Sequence, residues 1–262
     1  MRKFLILLFI LFFGLNVCAV DENMGFRGPL NFFQSKILEK IISVQVEKVV
    51  GGNIKTKISS YGAKALRNGI FKSAFIEGKN LSFDEINVSG FVAETTTENN
   101  RLDISDKSNP KLLTDIQADF KTVVSNEDLK TIITAPICQN EIKKLNKNLA
   151  PLVRVNTLDV WADKGRLKFR VNLSSGLFGS EFSISGSTSV FSDGNKIVMK
   201  DVEISKKTQF ANNILSLLNN LNPINLVIKQ LDNANIDILV NNINIIDDKI
   251  EIFGIIKIYR GV

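Results

Sequence analysis

Histidine is absent from the sequence. That excludes His-based nucleophile triads, most zinc sites and the usual general base at neutral pH. Cysteine is nearly absent: Cys18 and Cys138 are the two in the chain, and Cys18 falls in a segment expected to be removed. A lone Cys138 forms neither an internal bridge nor a thiolate metal cluster, so its expected place is that of a small buried hydrophobe. The sequence also lacks a GxSxG elbow, a glycine-rich phosphate loop and a paired-cysteine ligand set. Carboxylates are plentiful, and two converging in a cleft would suffice for acid–base chemistry. Pairs such as Asp84-Glu85 and Asp247-Asp248 read instead as solvated surface charge. The expectation is a protein without catalysis, cofactor or metal, with a carboxylate hydrolase as the remaining catalytic alternative.

What is present is an ordinary globular composition, 44% hydrophobic and 23% charged with a formal net charge of +6. A chain of 262 residues can bury a sizeable core without staples. The N-terminus has the layout of an export signal. Met1-Arg2-Lys3 supplies positive charge, Phe4 to Leu15 is uncharged and apolar, and Val17-Cys18-Ala19 suits cleavage after Ala19. The apolar run is shorter than the roughly 20 residues a membrane span needs. Extending it to Val20 gives an uncleaved anchor as the alternative. A lipidated Cys18 fits less well, because Leu15-Asn16-Val17 lacks the small residue expected just before it. The expected organisation is a signal over residues 1–19 and one domain over 20–262, exported to the periplasm or cell envelope, soluble or N-terminally anchored.

Charge is uneven along the chain. Met24 to Asn80 holds eight Lys and two Arg against three Glu, whereas Leu81 to Asp128 holds four basic and ten acidic residues. In an exported protein a basic part can meet anionic headgroups, each Lys or Arg near the surface contributing ~1 kcal/mol. Lys55, Lys57, Lys64 and Arg67 are the candidates for such a membrane-surface patch. Nucleic acid is not an expected partner, since no aromatic-basic motif supports it.

Pro29 to Ile42 has helical spacing of Phe33, Ile37, Leu38, Ile41 and Ile42. Strand character follows over Asn53–Ser60, Ile70–Phe83 and Glu85–Thr97, while the polar run Asn99–Pro110 predicts a loop. Strand character resumes over Ile116–Val124. Ser125 is a good N-cap for a helix carrying Leu129, Ile132 and Ile133 on one face, and Pro136 should kink or end it. From Pro151 the pattern is mainly β, with turns at Asp163-Lys164-Gly165, Asp193-Gly194-Asn195 and Asp247-Asp248. Thr208 to Leu221 predicts an amphipathic helix with Phe210, Ile214, Leu217, Leu218 and Leu221 as its stripe. Strands joined by tight turns argue for an antiparallel sheet and the α+β class.

The segment Ser180–Phe191 alternates most clearly. Glu181, Ser183, Ser185, Ser187 and Ser189 occupy one face, and Phe182, Ile184, Gly186, Thr188 and Val190 the other. Gly186 in the apolar register predicts a bend or a close backbone approach.

The order of these pieces resembles the bacterial LmeA-like phospholipid-binding proteins. The resemblance runs through Ala65–Thr97, the helix start VVSNEDLKTII (Val123–Ile133), SDGNKIVMKDVEIS (Ser192–Ser205) and DDKIEIFGIIKIY (Asp247–Tyr259). It covers roughly Ile37 to Tyr259 and rests on hydrophobic spacing and element order. It implies a tubular lipid-binding-like fold, a strongly curved antiparallel sheet wrapped around a long amphipathic helix with acyl chains between them. It also implies a non-catalytic carrier or envelope-maintenance factor for phospholipid or another acyl lipid. The expected lining residues are Ile132, Ile133, Phe169, Phe182, Ile184, Val190, Phe210, Ile214 and Leu217. Each buried acyl CH₂ would contribute about 0.8 kcal/mol, so such a cleft needs no charged group. The alternative is a structural or adaptor module at the membrane surface that binds another envelope component through a closed core.

Overall fold

The computed structural model describes residues 35–37, 39–40, 51–83, 86–105, 110–149, 153–175, 180–194, 196–204, 225 and 236–260. The expected export signal, most of the Pro29–Ile42 helix and the Thr208–Leu221 helix, with Phe210, Ile214 and Leu217, lie outside the described residues.

The elements are, in order, β1 (Gly51–Ser59), α1 (Ala63–Arg67), β2 (Ile70–Phe71), β3 (Ser73–Phe83), β4 (Ile86–Thr95), β5 (Asn100–Asp103), β6 (Lys111–Leu112) and β7 (Ile116–Ser125). Then come α2 (Asn126–Thr134), α3 (Pro136–Leu149), β8 (Val153–Asp163), β9 (Arg166–Ser175), β10 (Glu181–Asp193), β11 (Lys196–Ile204), β12 (Ile236–Ile246) and β13 (Lys249–Ile258). They build a six-stranded sheet in the order β1-β3-β4-β7-β13-β12, a four-stranded sheet β11-β10-β9-β8 and a small sheet β2-β5-β6. The pairings are antiparallel throughout. Neither large sheet closes on itself, and the described part is mostly antiparallel β with few helices, the α+β class.

Turn chemistry sets the hairpins. Lys164 and Gly165 at φ 48° and 77° form the tight β8–β9 connection, and Asp247 at φ 49° turns β12 into β13. Gly194 at φ 63° starts the β10–β11 turn. At the β7–α2 junction Ser125 caps the helix. Its hydroxyl accepts from the Asp128 N–H at 3.2 Å, and Asp128 Oδ2 accepts from the Ser125 N–H at 2.8 Å, closing a capping box. Pro136 divides the helical stretch as expected: Ala135 is extended at ψ 147°, and α3 begins on the proline.

Two expectations are corrected. The run Asn99–Pro110 is not wholly a loop, because Asn100–Asp103 forms β5. Its polar residues need no solvent there: the fully buried Asn100 carboxamide donates to Lys72 O at 2.9 Å and Thr97 O at 2.8 Å, and accepts from Thr97 Oγ1 at 2.7 Å. The strand expected over Ile70–Phe83 is broken at Lys72 into β2 and β3, where the Lys72 N–H turns aside to Ser59 O at 2.9 Å.

Sheet borders are met by side chains that imitate a strand. The Asn126 carboxamide donates to Ala162 O at 3.1 Å and accepts from Ala162 N at 2.6 Å. Asn146 does the same to Val155 at 2.9 and 2.8 Å, and both targets lie on β8. On the opposite border Asn225 pairs with Ile197 of β11 at 2.6 and 2.7 Å. In the six-stranded sheet, Glu39 accepts from Ile58 N of β1 at 3.2 Å. There β12 meets the β10–β11 hairpin: Val240 N donates to Gly194 O at 2.8 Å, and Ser192 Oγ donates to Val240 O. Each contact satisfies an edge peptide group that strand pairing leaves open.

The inward residues of both large sheets merge into one apolar cluster with Leu129, Ile132 and Ile133 of α2. Cys138 of α3 joins it, 3% exposed, and burial pushes its thiol pKa up to about 11.

Candidate functional site

The candidate site is the inner apolar surface where β10, β11 and β12 approach one another. On β10 the inward register is Phe182, Ile184, Gly186, Thr188 and Val190, paired with Leu173, Val171, Phe169 and Leu167 of β9 and with Met199 of β11. A Cβ on Gly186 would lie 2.7 Å from Phe169 Cζ and 2.2 Å from Glu203 O. The expected close approach is therefore present, made by a phenyl ring from one neighbour and a backbone carbonyl from the other.

That carbonyl stands next to a bulge. The β10–β11 register shifts between Ser187 and Ser189, and Asp201 adopts φ 53°. Side chains fasten the bulge from both faces. The fully buried Thr188 hydroxyl donates to Lys200 O at 2.8 Å, while Arg166 Nη2 donates to Asp201 O at 2.7 Å and its Nε to Ser187 Oγ at 3.0 Å. Beyond the bulge the inward phase of β11 changes from Ile197 and Met199 to Val202 and Ile204, which are half-buried.

The six-stranded sheet repeats the device. A Cβ on Gly254 of β13 would lie 2.6 Å from Phe120 Cε1 of β7 and 2.1 Å from Leu239 O of β12. β12 is bulged between Val240 and Asn242. Its inward phase shifts accordingly, from Ile236, Ile238 and Val240 to the half-buried Ile243 and Ile245. Phe120 also stacks on Phe91, with centroids 6.4 Å apart.

Of the expected lining residues, Ile132, Ile133, Phe169 and Ile184 are 2%, 5%, 1% and 3% exposed, packed as core. Phe182 and Val190 are half-buried against that core and belong to the candidate surface. Val202, Ile204, Ile243 and Ile245 join them without having been expected. Their signal was in the sequence all the same, as a one-residue phase slip in each alternating run. The inward positions of β10, β11 and β12 carry no charge.

The expected basic patch is divided. Lys55 and Lys57 lie on the outer face of β1, and Lys55 pairs with Glu77 at 3.6 Å. Lys64 and Arg67 stand exposed on α1. Among the described residues, no cluster of three or more acidic or thiol groups is placed to hold a metal ion, and no helix is long and apolar enough to cross a membrane. No family model, no curated protein and no solved structure matches the chain.

Proposed function

We propose that the protein binds lipid without catalysis, as a carrier or maintenance factor of the cell envelope, holding acyl chains between a curved sheet and a helix in the manner of the tubular lipid-binding domains. One observation carries this reading: around the closed core the inward side chains Phe182, Val190, Val202, Ile204, Ile243 and Ile245 are only half-buried, and no inward position of their strands carries a charge. An acyl chain is the kind of ligand that gains from such side chains, since it asks for area and few polar contacts. The export-like N-terminus and the resemblance in element order support the same reading.

Native mass spectrometry of the gently purified protein should reveal co-purifying phospholipid, and a fluorescent fatty acyl probe should be taken up. Phe182→Ser with Ile243→Ser should lower that uptake while the thermal transition persists. A protein that is consistently empty and refuses the probe would remove the proposal.

The second reading, a membrane-surface adaptor for another envelope component, is favoured by the tight closure around Ile132, Ile133, Phe169 and Ile184. It requires partner capture that survives the same two substitutions and fails when Lys55, Lys57, Lys64 and Arg67 are reversed.

A further inference from the structure

On the border strand β1 the chain leaves peptide groups unmet. The Ile58 N–H points away from β3 and donates to Glu39 at 3.2 Å. Pairing with β3 runs without a break from Asn53 to Ser59, so the N–H and C=O of Ile54 and Thr56 point the same way. Among the described residues, neither Ile54 nor Thr56 holds a hydrogen bond on that side. Thr56 also carries a buried hydroxyl without a partner. The other borders are met more closely. Asn126 and Asn146 serve β8 and Asn225 serves β11, while on β12 the Asn242 carboxamide accepts from the Ile243 N–H at 2.9 Å, close to the Val240 contacts.

Side chains decide which strand fits there. Ile54 and Thr56 face inward, half-buried, and Lys55 and Lys57 face outward. With Lys79 of β3 these lysines stand around one carboxylate, Glu77, which lies 3.6 Å from Lys55 and 3.1 Å from Lys79. The next carboxylate on this face, Glu94, belongs to β4, two strands in from the border. Three ammonium groups against one carboxylate leave the outer side of the border positive. Lysine on a border strand ordinarily repels a like strand. It does so to a second copy of β1. Antiparallel pairing centred on Lys55 or Thr56 sets Lys55 opposite Lys55 or Lys57, and centring on Ile54 gives neither lysine a counter-charge. The same charge attracts an acidic strand.

We propose that β1 takes up an extended acidic segment of another protein as an added edge strand. The segment's main chain bonds Ile54 and Thr56, its alternate Asp or Glu side chains meet Lys55 and Lys57, and the residues between them lie beside Ile54 and Thr56. The proposal goes beyond the holding of an acyl chain and stands without it. Peptide binding and acyl-probe uptake are separate measurements, so either can fail while the other holds.

The test is titration of the full chain with a dye-labelled, end-blocked peptide as long as β1, in which Glu alternates with Val or Thr. The peptide should bind, and amide exchange at Ile54 and Thr56 should slow when it does. A version with Lys in place of Glu should not bind. Lys55→Gln with Lys57→Gln should weaken binding about tenfold, the worth of two cross-strand ion pairs. Lys143→Gln with Lys147→Gln, an equal charge change on exposed positions of α3, should weaken it much less. Two further peptides, N-methylated at every Glu or at every Val and Thr, separate strand pairing from charge. In an added strand one set of N–H groups faces β1 and the other faces away, so one peptide should fail and the other bind. Equal binding of the two would mean attraction by charge alone and would overturn the proposal. Equal loss in the two double variants, or no binding of the acidic peptide, overturns it too. So does a full chain that is dimeric without peptide and already protects the Ile54 and Thr56 amides, since the border then belongs to a second copy.

Discussion

The two large sheets share an inner face but differ on the outside. Within, each has the same construction, a glycine roofed by a phenylalanine from one neighbour and pressed by a carbonyl close to a bulge in the other. Outside, the six-stranded sheet carries charge: Glu77 lies between Lys79 at 3.1 Å and Lys55 at 3.6 Å, and Lys121 pairs with Glu251 at 2.9 Å while resting over the Phe253 ring. The four-stranded sheet mixes ion pairs, Lys168 with Asp163 and Arg166 with Glu203 at 3.4 Å, with a network of hydroxyls and carboxamides. Asn172 donates to Thr157 Oγ1 and accepts from Ser183 Oγ, both at 2.6 Å, and Asn156 accepts from Ser174 Oγ at 3.0 Å. The difference teaches that the inside is constrained by contact distances that admit few residues. The outside is polar over most of its area and admits more kinds of residue, although Phe75 is buried there too.

The sharpest way to break the comparison is at the glycines. Gly186→Ala and Gly254→Ala should each lower the unfolding free energy by about 2–3 kcal/mol, because the added methyl meets backbone that cannot withdraw. Gly90→Ala is the control, its Cβ reaching Val123 Cβ at an ordinary 3.6 Å, and should stay within about 0.5 kcal/mol of the parent. Denaturant melts of the three variants decide it, and equal effects at Gly186 and Gly90 would dissolve the shared device.

Next in size are the carboxamide caps. Asn126→Leu or Asn146→Leu strands one donor and one acceptor of β8 and should cost about 1–3 kcal/mol. Amide exchange at Ala162 or Val155 should quicken in step. Smaller still are the outer faces, where Asn172→Ala and Glu251→Gln should each cost no more than about 1 kcal/mol. Salt separates them. Raising ionic strength should erode the Glu251 contribution and leave that of Asn172 in place.

The smallest effects are in the titrations. The hydrogen bond from Lys168 holds the Asp163 carboxyl below its ordinary pKa, and that from Lys79, with Lys55 nearby, does so for Glu77. A depressed carboxyl stabilises the fold above its unfolded pKa, and that contribution is lost as pH falls through the folded value. Both groups are at the surface, so the effect belongs in an NMR titration curve, where Lys168→Met should return Asp163 to the ordinary range.

Much of this was legible in the sequence. The Ser125 cap, the Pro136 break, the Asp193-Gly194 and Asp247-Asp248 turns and the alternation of β9 and β10 are local signals written in a few neighbouring residues. Gly186 was legible as an anomaly, but its cause was not, because Phe169 and Glu203 are each 17 residues away. The caps were illegible for the same reason. Asn126 reads as a helix residue, and nothing local says that it meets Ala162, 36 residues on. The small sheet was missed because Asn100 counts as a loop former until Lys72 and Thr97 supply its partners. Of the site, Phe182 and Val190 followed from alternation. Val202, Ile204, Ile243 and Ile245 required reading a broken alternation as a bulge rather than as the end of a strand.

A β-sheet is also a polymer that has stopped growing. Any border strand with open peptide groups is a live end, ready to add a strand from its own chain or from a stranger's. Asn146 and Asn225 act on the four-stranded sheet as terminators act on a growing chain: they bind the live end with a unit that carries no further site of the same kind.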